Sequence, residues 1–126
     1  MVNYSITSTD DPVAKRDTLM QQGFRCLERN ENEKAAEYFT DALEIRPSGN
    51  VYAALAFCAK RAREQNLELN LLKEAHKLYL DELDIDGIHY CEDVIKELED
   101  KQQKQKELAG KLIDSGIGLL KNLFLK

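Results

Sequence analysis

The stretch "NENEKAAEYFTDALEIRP", Asn30 to Pro47, decides the fold. Within it Ala35, Ala36, Phe39, Ala42, Leu43 and Ile45 recur at three- and four-residue spacings, the period of one helix face. Pro47 gives that helix a hard stop, because proline lacks the N–H donor and its ring clashes with the preceding turn. The alanines leave room for a neighbouring backbone to approach, so this helix has a close partner.

The partner lies immediately upstream in "DDPVAKRDTLMQQGFRCLERNE". Asp11 is a suitable N-cap and Pro12 a suitable first helical residue, since the N–H that proline lacks would be unsatisfied there anyway. Leu19, Met20, Gly23, Phe24 and Leu27 keep a period close to 3.6, and Asn30 to Asn32 reads as a tight turn. The two helices form an antiparallel hairpin with Gly23, Ala35 and Ala42 at the contact.

Downstream, "NVYAALAFCAKRAREQ" reads as a third helix and "LLKEAHKLYLDELDIDG" as a fourth, with the break at Asn66 or Asn70. Asp86 is the expected cap of a fifth, whose apolar members Tyr90, Cys91, Val94, Ile95 and Leu98 give way to a polar run over 100–107. The final segment, "KELAGKLIDSGIGLLKNLFLK", is the most apolar part of the chain.

Bulk properties narrow the classes. The chain has 126 residues, 43% hydrophobic and 33% charged, with six Gly and two Pro; this suits one helix-rich domain with a true core. A net charge of −5 and the absence of Trp speak against a nucleic-acid surface, which needs clustered cations or stacking aromatics. Charge is uneven: from Asp81 to Asp100 nine acids face only Lys96, whereas Lys101 to Lys126 holds six lysines against Glu107 and Asp114. The acidic block reads as a solvated helix face.

Three cysteines, Cys26, Cys58 and Cys91, share no C-x-x-C spacing, which indicates reduced thiols and a cytoplasmic setting rather than a disulfide framework or zinc ribbon. His76 and His89 lack the i, i+4 spacing of helical metal ligands, so no metal and no cofactor is expected. "MVNYSITSTDDP" has neither a basic start nor an apolar run; residues 1–11 are expected to form a flexible arm, not a signal peptide. Catalysis would need a nucleophile beside a base, paired carboxylates in an apolar pocket or a phosphate loop. None is legible, and a non-enzymatic protein is expected.

The unit from Arg16 to Gly49 resembles a tetratricopeptide repeat, with the pattern W-x2-L-G-x2-Y, A-x3-F and a closing P. Gly23, Ala35, Phe39, Ala42 and Pro47 fall on signature positions, while Leu19, Gln22 and Cys26 depart from it. A second, degenerate unit spans about 50–87, with Tyr52, Leu55 and Ala56 in the first helix. Ala75, Tyr79 and Leu83 take the small, aromatic and leucine places of the second if about seven residues are inserted. The resemblance implies an all-α, right-handed superhelical array of about six antiparallel helices over 12–105, closed by capping helices.

It further implies an adaptor or scaffold that holds a peptide or helix of a protein partner in a concave groove. By position that groove would present Asp17, Met20, Phe24 and Leu27 from the first unit and Ala53, Phe57, Lys60 and Arg61 from the second, apolar with a basic end. The chaperone-tail receptors of the family carry Lys and Asn where this chain has Met20 and Phe24, so an apolar or amphipathic peptide with an acidic element is the expected ligand.

The amphipathic segment 106–126 carries Leu112, Ile113, Ile117, Leu120, Leu123 and Phe124. Lys111, Asp114 and Lys121 interrupt it too often for a membrane span. Three fates remain open for it: packing back on the array, pairing with a second copy as a homodimer or with a partner helix, and lying in a membrane surface. The last two define the alternative function, a peripheral membrane or self-associating protein working through its tail.

Overall fold

The computed structural model describes residues 11–124, with side chains from 11 to 116. The expected arm, apart from Asp11, lies outside the described residues. Five helices follow one another: α1 (Pro12–Glu28), α2 (Asn32–Ile45), α3 (Gly49–Arg61), α4 (Gln65–Glu82) and α5 (Ile85–Phe124), with no strand among the described residues. The fold is an all-α array of helix hairpins. Five helices stand where about six are expected because α5 continues for 40 residues: the polar run over 100–107 consists of Lys, Gln, Glu and Asp without Pro or Gly, so nothing in it breaks a helix. The described chain divides into two compact units, Met1–Ile95 and Lys96–Lys126.

The first unit is built from caps and turns that recur. Asp11 accepts a hydrogen bond from the Val13 N–H at 3.1 Å, and Pro12 opens α1. After α1, Asn30 takes a left-handed φ of 61° and the Glu31 N–H donates back to the Cys26 carbonyl at 2.8 Å. At 33 positions further on, Arg63 has φ 60° and the Glu64 N–H donates to the Ala59 carbonyl at 2.9 Å. The two hairpin turns are thus the same motif. Each spends roughly 1–2 kcal/mol on a left-handed non-glycine residue and gains hydrogen bonds for carbonyls that a helix end leaves open.

This places the second break at Ala62–Glu64, not at Asn66 or Asn70, which lie inside α4. No insertion of seven residues is present. At the same offset Glu68 takes the place of Ala35, Leu72 that of Phe39 and Ala75 that of Ala42, and all six are buried. Leu83, expected in a core leucine place, is instead the left-handed C-cap of α4 (φ 56°) and 79% exposed. Asp84 rather than Asp86 caps α5, accepting from the Gly87 N–H at 3.0 Å. Ser48 caps α3 by accepting from the Val51 N–H at 3.3 Å.

Within this unit α1 packs on α2, α3 on α4, and α2 on α3. Met20, Cys26, Leu27, Ala35, Phe39, Ala42, Val51, Ala54 and Cys58 form one core cluster. Fully burying a side chain such as Phe39 or Leu72 contributes about 1.5–3 kcal/mol. Gly23 allows this, because a Cβ there would stand only 2.7 Å from Phe39 Cζ. Leu69, Leu72, Ala75, Tyr79 and Cys91 are the buried apolar residues of α4 and the start of α5.

In the second unit the helix leaves Leu108, Leu112 and Ile113 exposed. The side chains of Ile117, Leu120, Leu123 and Phe124, expected in the tail surface, lie outside the described residues. Among the described residues no helix is long and apolar enough to cross a membrane.

Candidate functional site

The first unit carries a groove of about 530 Å³, lined by α1 and α3 with single residues from α4 and α5. Its position follows from helix periodicity: α1 turns Gly23, Cys26 and Leu27 into the core, which leaves Asp17, Gln21 and Phe24 on the other face. From α1 the groove takes Arg16, Asp17, Met20, Gln21 and Phe24; from α3 and its cap it takes Ser48, Asn50, Ala53, Ala54 and Phe57. Tyr79 of α4 and Tyr90 of α5 complete it. The volume lies in the range of ligand clefts.

Of the residues expected to form the groove, Met20, Phe24, Ala53 and Phe57 come together with Asp17. Leu27 does not line it: it is buried in the core cluster, and its carbonyl accepts from Arg61 Nη1 at 3.0 Å. Arg61 also donates to Asn32 Oδ1 at 3.1 Å and lies 5.0 Å above the Phe57 ring. Its guanidinium therefore ties α3 to the first hairpin and backs the aromatic, a use that its place in a motif could not disclose. Lys60 is exposed and is not among the lining residues. The charged end is instead formed by Arg16 and Asp17, an ion pair at 3.1 Å, so the groove carries no net basic end.

The floor is rigid. Phe24 meets Phe39 edge to face, with ring centroids 5.1 Å apart, an arrangement that favours the positive ring edge over the negative face. The Tyr79 ring lies in the space that a Cβ on Gly49 or on Gly87 would need, so these two glycines let α3 and α5 close on α4. Its hydroxyl donates to Asn50 Oδ1 at 2.7 Å, and the Gly49 N–H donates to Glu82 Oε2 at 3.1 Å, placing a carboxylate at the positive end of α3.

Burial favours the neutral forms of Tyr79, Tyr90, Cys58 and Cys91. Burial pushes Tyr79 up to about 12, with Cys91, Asp84, Glu82 and Tyr90 adding to the shift. Tyr90 is also raised, by burial and then by Cys91 and Glu68. Burial raises Cys91 to about 11, with Glu92 adding, and raises Cys58 against the opposing charge of Arg61. Neutral thiols are poor nucleophiles. The groove offers aromatic surface and hydrogen-bonding groups suited to recognition.

Sequence reasoning did not assign Arg16, Gln21, Ser48, Asn50, Ala54, Tyr79 or Tyr90 to the groove. Ser48 had a usable signal, a serine just before a periodic run. Tyr90 had none at the level of two units, since it enters from a helix beyond them. Comparisons with protein-family models, with curated proteins and with solved structures found no match.

Proposed function

We propose that this chain is a tetratricopeptide-like interaction module, a cytoplasmic adaptor that holds a peptide or helix of a protein partner in the groove between α1 and α3. The observation that carries this reading is the exposure of three aromatic rings around one groove. Phe24 is 47% exposed, Phe57 41% and Tyr90 52%, although Phe39, edge-on against Phe24, is fully buried. Aromatic residues held rigidly at a concave surface are characteristic anchor sites for partners. Apolar patches of this kind otherwise favour aggregation.

The groove recognises side chains more than charge. An apolar or aromatic residue of the ligand fits between Phe24 and Phe57, while Gln21, Asn50 and the Arg16–Asp17 pair meet the ligand backbone and polar groups. The test is affinity capture from native lysate with the full chain and with Phe24→Ala, Phe57→Ala. Both substitutions sit at half-exposed positions and leave Phe39 in place; the double variant is compared only once its circular dichroism spectrum and melting transition show a folded chain. A defined partner lost with the double substitution supports groove binding; partners retained at equal yield refute it.

A further inference from the structure

We propose that the helix of the second unit docks on an anionic phospholipid surface, lying in the headgroup plane. Leu108, Leu112 and Ile113 are 59%, 62% and 54% exposed, and a Cβ built at Gly110 or Gly116 meets nothing within 4 Å. At about 100° per residue, Leu108, Ala109, Leu112 and Ile113 fall within an arc of about 140°. In sequence the same spacing continues through Ile117, Leu120, Leu123 and Phe124.

The charges fix the occupant. On this wheel Lys104 and Lys111 stand along one border of the apolar arc and Lys106 along the other, all exposed. Lys101 closes its N-terminal end. From Lys101 onward the two described acids, Glu107 and Asp114, stand at the middle of the opposite face, while Glu97, Glu99 and Asp100 lie ahead of the apolar stretch. Lysines at both borders lay their stems along an apolar surface and hold the ammonium groups at headgroup level, where anionic lipids attract each of them. Glu107 and Asp114 are thereby kept away from that plane.

A second copy of the helix fits less well. A two-stranded pairing uses a narrow apolar seam with opposite charges at its borders, whereas this arc is wide and its borders would bring lysine against lysine.

The test uses the full chain in flotation with vesicles of phosphatidylcholine alone and of phosphatidylcholine mixed with phosphatidylserine. Binding to the mixed vesicles is expected, weakening with salt as screened attraction must. Replacing three lysines together (Lys104→Gln, Lys106→Gln, Lys111→Gln) should weaken partition on the order of a hundredfold. Leu112→Gln with Ile113→Gln should abolish it while the thermal unfolding of the chain is unchanged, because both side chains are exposed. Failure to bind the mixed vesicles, equal binding to both vesicle types, or a dimer in analytical ultracentrifugation that the Leu112 and Ile113 substitutions dissociate would overturn the proposal.

Discussion

Replacing Gly23 by alanine tests the packing that positions the groove, because two opposing effects can be given magnitudes. Gly23 lies inside α1, where alanine favours the helix by about 1 kcal/mol over glycine. A Cβ there, however, would stand 2.7 Å from Cζ and 2.8 Å from Cδ1 of Phe39, and closer still to Cε1. Phe39 is fully buried and its ring is held edge-on by Phe24, so it cannot swing aside as a surface side chain would. Overpacking of this kind costs about 1–3 kcal/mol, and contact with three ring atoms puts it near the upper end. Gly23→Ala should therefore destabilise the chain by about 2 kcal/mol, which lowers the melting temperature by roughly 10 °C for a domain of this size. In a Phe39→Leu background the ring is gone and the same substitution should become neutral or stabilising, so the pair shows a coupling energy above 1 kcal/mol. Urea unfolding followed by circular dichroism at the helix band supplies all four corners of the cycle. Equal destabilisation in both backgrounds, or a stabilising Gly23→Ala in the native chain, would refute the close approach of α1 and α2.

Arg61→Lys should cost about 1 kcal/mol in the same assay, because one ammonium cannot hold the Leu27 carbonyl, Asn32 and the Phe57 face together as the guanidinium does. Through Cys91 and Tyr79 stability should begin to fall above about pH 8. Cys91 and Tyr79 titrate in the folded chain near 11 and 12, above their ordinary values, so the unfolded chain loses these protons first. Tyr79→Phe should flatten the slope between about pH 10 and 12 and cost about 1 kcal/mol at neutral pH through the lost bond to Asn50. Ellman's reagent should find Cys26, Cys58 and Cys91 protected in the native chain and reactive in denaturant, since all three are buried; a rapidly titrating native thiol would contradict the burial.

The first hairpin was legible because its information is local. Asp11 and Pro12 start a helix, Pro47 stops one, and Gly23, Ala35, Phe39 and Ala42 announce close packing through residue size alone. The second hairpin was not, because its turn rests on Arg63 in a left-handed conformation, a choice with no compositional mark. Asn66 and Asn70 carry the stronger turn propensity, yet both lie within α4. Misplacing that turn moved the aromatic place from Leu72 to Tyr79 and hid the 33-residue correspondence between the hairpins. Part of the groove was readable on the same logic: Asp17, Met20, Phe24, Ala53 and Phe57 follow from helix register, whereas Tyr79 and Tyr90 depend on how α4 and α5 close around Gly49 and Gly87. Arg61 shows the limit of reading by position, since a hydrogen bond to a main-chain carbonyl 34 residues away leaves no trace in a motif.

Groove binding is tested most directly by photocrosslinking, with a benzophenone side chain placed in turn at position 57, inside the groove, at position 37, exposed on α2, and at position 113 in the tail. The full chain is irradiated in native lysate and the adducts are identified by mass spectrometry. Enrichment of one defined partner peptide from position 57, and not from position 37 or 113, is the predicted result. The same adducts from all three positions, or a partner captured only from position 113, would contradict the groove as the working surface of this protein.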